Sequence, residues 1–195
     1  AALIFGGQAP GSPDLLGTTE SWNGSSWTTV TSMSVARTNI AGCGASNTSA
    51  LGFGGKNPSP TLSATEEWTA GAPIANVWVT ANSMNTARDY LGGFGTQASA
   101  LAFGGENPGG TSAATEAYNG TNWTEVNDLT YTFSYGGATG TSTAALAFGG
   151  SPARNKTNSW NGTNWTELNN LDRNRERGGA AGTSTAALGF GGGPP

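Results

Sequence analysis

Apolar and polar residues alternate in short runs along this chain, and no stretch shows the longer period of an amphipathic helix. The clearest run, Ala-Leu-x-Phe-Gly-Gly, occurs five times: Ala2 to Gly7, Ala50 to Gly55, Ala100 to Gly105, Ala145 to Gly150 and Ala187 to Gly192. Measured between the leucines (Leu3, Leu51, Leu101, Leu146, Leu188), the spacings are 48, 50, 45 and 42 residues. Such a period belongs to arrays in which one supersecondary unit is repeated. An apolar pair closed by two glycines predicts a short buried strand with a sharp exit, here called B.

Three further segments complete each unit. Segment C is Thr-Glu-Ser-Trp (19–22), Thr-Glu-Glu-Trp (65–68), Thr-Glu-Ala-Tyr (115–118) and Thr-Asn-Ser-Trp (157–160). A threonine and an aromatic three apart in β-favouring surroundings predict a strand. Asn23-Gly24, Asn119-Gly120 and Asn161-Gly162 follow it, and they predict tight primed hairpins in which both residues take positive φ. The second unit has Ala70-Gly71-Ala72-Pro73 instead, read as a longer connection.

Segment D begins at Trp27, Trp78, Trp123 or Trp165; Met33, Met84, Leu129 or Leu171 follows after six residues, and Arg37, Arg88, Phe133 or Arg175 after four more. Segment A then has almost no bulk, and Gly44, Gly95, Gly140 and Gly182 hold one register through it. Four short strands per unit make one propeller blade, with the small-residue strand A innermost, where blades converge and room is least. The whole chain, 1–195, is expected to be one domain, with units near 1–49, 50–99, 100–144 and 145–186 and residues 187–195 as a redundant closing strand.

This order resembles the kelch repeat. In that β-propeller family the glycine pair, the aromatic of the third strand and the tryptophan of the fourth stand where this chain has Gly54-Gly55, Trp68 and Trp78 and their equivalents. The resemblance implies an all-β, four-bladed propeller closed by pairing of the terminal segments. The blade core would hold Trp27, Trp78, Trp123 and Trp165 with Phe5, Phe53, Phe103 and Phe148. Phe133 departs from the family's arginine. Because B occurs once more than A, C and D, one terminal copy either substitutes for the other at the seam or pairs with another chain, since a free apolar strand invites aggregation.

Composition narrows function. Charged residues are 10% of the chain, eight of them basic, and the net charge is −4, which argues against a nucleic-acid footprint. With no histidine, the commonest general base and transition-metal ligand are both missing. Cys43 is alone, so no internal disulfide is expected. No apolar run is long enough for a membrane span. We expect no cofactor, no metal and no catalysis. A carboxylate-based glycan hydrolase using Asp89, Asp128 or Asp172 stays open as an alternative, as does an intracellular kelch-type adaptor.

If strands alternate about one axis, the long and variable B–C and D–A loops share a face, the arrangement of a binding surface. Candidate ligand-binding residues there are Arg88, Asp89, Tyr90, Tyr131, Phe133, Tyr135, Arg173 and Arg175, suited to sugar rings or adaptable protein contacts. The near-identical Gly-Thr-Ser-Thr-Ala-Ala-Leu-x-Phe-Gly-Gly segments (140–150 and 182–192) are similar to kelch-like stretches of bacteriophage virion or tail proteins. That resemblance implies an extracellular or virion-surface attachment module, a glycan or protein surface as partner, and self-association through the redundant strand.

Overall fold

The computed structural model describes residues 1–11, 13–71 and 74–193, and among these the regular secondary structure is entirely β. The first sheet holds β1 (Ala2–Phe5), β2 (Thr19–Trp22) and β3 (Trp27–Val30), which are segments B, C and D without an A. The second is β4 (Ala41–Ser46), β5 (Ser49–Phe53), β6 (Thr65–Gly71) and β7 (Ile74–Ala81) in the order A–B–C–D. The third contains β8 (Gly92–Thr96) and β9 (Ser99–Phe103). A small loop hairpin of β10 (Glu106–Asn107) and β11 (Gly110–Thr111) then precedes β12 (Thr115–Tyr118) and β13 (Trp123–Val126), and the sheet order is β8-β9-β12-β13.

After β14 (Phe133–Ser134), the fourth sheet runs β15 (Gly137–Thr141), β16 (Ala144–Phe148), β18 (Thr157–Trp160) and β19 (Trp165–Glu167); β17 (Ser151–Pro152) pairs outside it with β14. The last two strands, β20 (Glu176–Gly182) and β21 (Ala187–Gly193), form a two-stranded sheet that is an A and a B alone. All pairings are antiparallel, and one register recurs: Phe53 stands opposite Thr65, Phe103 opposite Thr115 and Phe148 opposite Thr157.

The small-residue strands lie against one another in the order β4, β8, β15, β20. Their lack of bulk has a direct cause. A Cβ on Gly93 would strike the ring of Phe53, and one on Gly42 the ring of Phe5, so the B-strand phenylalanine of one sheet fills the space that glycine leaves on the next. The core sits between sheets. Phe53, Phe103, Leu51, Leu101, Trp78, Trp123 and Trp165 are buried in it.

The expected closure of the ring by the terminal segments is not seen, because no strand of the last sheet pairs with the first. The array is open at both ends. Trp27 and Phe5, expected in the core, therefore differ from their counterparts: Trp27 is 49% exposed and Phe5 half-buried.

The hairpins between C and D also depart from expectation. Trp22 pairs with Trp27, Tyr118 with Trp123 and Trp160 with Trp165, so each loop has four residues and only its glycine takes positive φ. The asparagine serves as an acceptor instead. Asn23 Oδ1 takes the amides of Ser25 and Ser26, Asn119 Oδ1 those of Thr121 and Asn122, and Asn161 Oδ1 those of Thr163 and Asn164. In the second unit the strands extend to Gly71 and from Ile74, so this hairpin is longer-armed; Ala72 and Pro73 of the expected connection lie outside the described residues.

Candidate functional site

The last three B–C loops are each bonded to the D–A loop that precedes them, which brings both loop sets together. Thr38 and Lys56 exchange backbone hydrogen bonds, as do Asp89 and Glu106, and β14 pairs with β17. Beneath this face four contacts recur from one sheet to the next, and together they define what each loop residue can do.

The first is an aromatic contact. Phe5 meets Trp78 at 4.8 Å between centroids, Phe53 meets Trp123 at 5.0 Å and Phe103 meets Trp165 at 5.1 Å. The second comes from the same indoles, whose Nε1–H donates back to the C-strand threonine of the preceding sheet: Trp78 to Thr19 at 2.9 Å, Trp123 to Thr65 at 3.0 Å and Trp165 to Thr115 at 3.0 Å. Buried indoles need such an acceptor.

The third is an ionic clamp. Arg37 Nη2 donates to Glu66 Oε1 at 2.9 Å, while its Nη1 reaches the carbonyls of Gly54 and Ala64. Arg88 repeats this on Glu116 at 2.8 Å, with the carbonyls of Gly104 and Ala114. Both arginines are 0% exposed and both glutamates 1%. Burial draws each guanidinium below its usual pKa, and the facing carboxylate opposes that shift. At the third interface both charges are absent: Phe133 replaces the arginine and Asn158 the glutamate, and Asn158 bonds Thr130 instead.

The fourth contact runs along the mouth of the array. Asn39, Tyr90, Tyr135 and Arg177, each two residues beyond the clamp position, all have φ between 52° and 57°. The amide of Tyr90 donates to the carbonyl of Asn39, that of Tyr135 to Tyr90 and that of Arg177 to Tyr135. The side chains of the last three stack in the same order. The Tyr90 and Tyr135 rings are 4.1 Å apart, and the Arg177 guanidinium lies 4.9 Å from the Tyr135 centroid. Partial burial, with Glu106 and Tyr90 nearby, pushes the Tyr135 phenol up to about 12.

The expected site residues thus separate into four groups. Tyr90 and Tyr135 come together, half-buried, at the mouth. Arg88, Asp89 and Phe133 are buried beneath it: Arg88 is a clamp residue, Asp89 Oδ2 accepts from Asn39 at 3.3 Å, and Phe133 packs on Phe103 at 5.5 Å. Tyr131 packs half-buried against the core between the third and fourth sheets, and burial raises its phenol, helped by the Glu167 charge. Arg173 and Arg175 line an open cleft of about 500 Å³ with Gly192 and Gly193, away from the tyrosine pair in sequence and bonded partner.

Asn39 and Arg177 belong to the mouth and were missed among the candidates. Their signal was the constant offset of two residues from Arg37 and Arg175. Among the described residues no three His, Cys, Asp or Glu side chains gather as metal donors, and no helix is long and apolar enough to cross a membrane. No protein-family model matches the chain, and no curated protein matches it.

Proposed function

We propose that the four units are blades of a kelch-like β-propeller and that the protein is a non-enzymatic attachment or structural module of an extracellular or virion surface. It binds a glycan or protein surface through the loop-bearing face. The observation that carries this reading is the Tyr90–Tyr135 stack at the mouth, flanked by Asn39, Arg177 and, through the Asp89 bridge, Glu106. Rigid amphipathic rings beside short polar groups offer contact area at small entropic cost.

The engagement of the acidic residues supports a non-catalytic role. Asp89 is 3% exposed and bonded to Asn39, and Asp128 Oδ1 accepts the Thr115 amide. A glycan array and a cell-surface binding assay test the proposal. Tyr90→Ala and Tyr135→Ala are expected to weaken binding about tenfold, the worth of one aromatic contact. Ser25→Ala, in an exposed C–D turn, should leave binding intact. Equal binding by all three variants would refute the assignment of the mouth.

A further inference from the structure

The two ends of the array are unlike, and each carries what the other lacks. At the N-terminal end β2 offers Glu20, exposed and in none of the ion pairs among the described residues, and Trp27 is exposed. At the C-terminal end Arg175 already holds the clamp pose toward its own Gly-Gly turn, its Nη1 donating to the Gly191 carbonyl at 2.6 Å. The equivalent arginines reach Gly54 and Gly104 in the same way, but Arg175 has no C strand beside β21 to supply a carboxylate. Of the six large hydrophobics exposed among the described residues, four lie at these ends: Ile4, Trp27, Leu188 and Phe190.

Each repeated contact has an unmade member that would join the last sheets to the first. Counting forward, Arg175 falls to Glu20, Phe148 to Trp27, the Trp27 indole to Thr157, and the Asn39 amide to the Arg177 carbonyl. Within one chain β20 and β21 pair only with each other, and β1 to β3 form a sheet of their own.

We propose that a second copy of this chain docks here, its β20–β21 pair adding to β2 and displacing β1, so that copies associate head to tail through the same interface that joins successive sheets. The proposal rests on the reading of the sheets as blades. Opposite charge, matched apolar surface and three internal examples of the same interface all point to this occupant.

Displacement of β1 rather than β21 follows from the third residue of B. It faces the phenylalanine of the preceding sheet and is Gly52, Ala102, Ala147 and Gly189 in the later copies, but Ile4 in the first. A Cβ on Gly52 already falls 3.0 Å from Phe5, and one on Gly189 falls 2.7 Å from Phe148, so β21 fits behind Phe148 where an isoleucine would not. The register copied from the other sheets places Gly189 opposite Glu20 and Phe190 opposite Thr19. One residue distinguishes this seam from the internal interfaces: Asp172 stands where Ser34 and Asn85 donate to Glu66 and Glu116. A second carboxylate beside Glu20 makes the seam weaker and reversible.

Sedimentation over a concentration series tests this, with Trp27 fluorescence as a second readout. The protein is expected to associate as concentration rises, with a blue shift that Trp27→Phe removes. Glu20→Arg and Arg175→Glu should each weaken association at least about thirtyfold, and their equimolar mixture should restore it, because alternating copies regain matched pairs. Asp172→Asn should tighten it, and deletion of residues 187–193 should abolish it.

A wild-type protein that stays monomeric, or a charge-reversal mixture no better than its components, would overturn the proposal. So would a disulfide formed on oxidation within one chain of a Glu20→Cys, Arg175→Cys variant in a Cys43→Ser background. The Glu20→Arg protein keeps the whole mouth, so its glycan or cell binding reports on the proposed function independently.

Discussion

Replacing Arg88 by Phe removes the cation from a clamp whose two ionic partners are wholly enclosed. Glu116, now 1% exposed, would still accept from the Asn85 amide, while the Gly104 and Ala114 carbonyls would each lose the guanidinium bond, Ala114 keeping that from the Gly104 amide. Leaving one charge of a buried pair uncompensated costs about 3–5 kcal/mol. For a chain of this size that corresponds to a fall in Tm of roughly 6–20 °C. Glu116→Asn alone should cost a similar amount, because it strands Arg88.

The double variant Arg88→Phe with Glu116→Asn has both charges removed and copies the Phe133–Asn158 interface, which the chain already uses. It should lie within about 1–2 kcal/mol of wild type, a favourable coupling of roughly 3 kcal/mol or more. Calorimetry and denaturant titration of the four proteins give the cycle. A double variant whose loss equals the sum of the single losses would refute the claim that each clamp is a coupled unit.

Other consequences follow from the same contacts. Trp123→Phe removes the donor to buried Thr65 and should cost about 1–3 kcal/mol, whereas Trp27→Phe in dilute protein should cost under about 0.5 kcal/mol; shifts in denaturant midpoint compare them. Tyr135, pushed up to about 12, should form phenolate well after a free tyrosine, visible by ultraviolet titration. Since its folded pKa lies above the unfolded value near 10, its stabilising contribution is complete below pH 10 and is lost as pH rises towards 12, and Tyr135→Phe should flatten that part of the profile. Burial raises the Cys43 thiol from 9.0 to about 12, so alkylation at pH 8 should be slower than that of a free cysteine, with roughly a thousandfold less thiolate available.

Much of the fold was legible because its determinants are local. The Gly-Gly stop, the aligned glycines of strand A and the tryptophan opening strand D each report a backbone or packing need within one unit. The unit therefore emerged with its four strands in order. The contacts between units were less legible, since a residue and its partner lie from 28 positions apart in the Arg88–Glu116 clamp to 59 in the Trp78–Thr19 bond. The arginines form a visible series with Phe133 as its exception, and the C segments read Thr-Glu three times and Thr-Asn once. That the two exceptions face each other required the stagger of one sheet on the next.

The mouth was half legible for a similar reason. Aromatics in the D–A loops stood out, but Arg88 and Phe133 are turned inward at the clamp position, while Asn39, without a ring, joins the row through its backbone carbonyl, which accepts from the Tyr90 amide. The Asn-Gly pairs were read as two-residue turns because the dipeptide favours them. The tryptophans on either side pair first, leaving four residues to span the gap and asparagine to cap them from within.

Amide hydrogen exchange read by mass spectrometry tests most directly the claim that the sheets are held by repeated contacts left unmade at both ends. In dilute protein, protection should be greatest across β5, β9 and β12 and least in β1 and β21, and raising the concentration should slow exchange in β2, β20 and β21 while leaving β1 fast. Equal protection of both terminal strands and the central sheets at every concentration would contradict it.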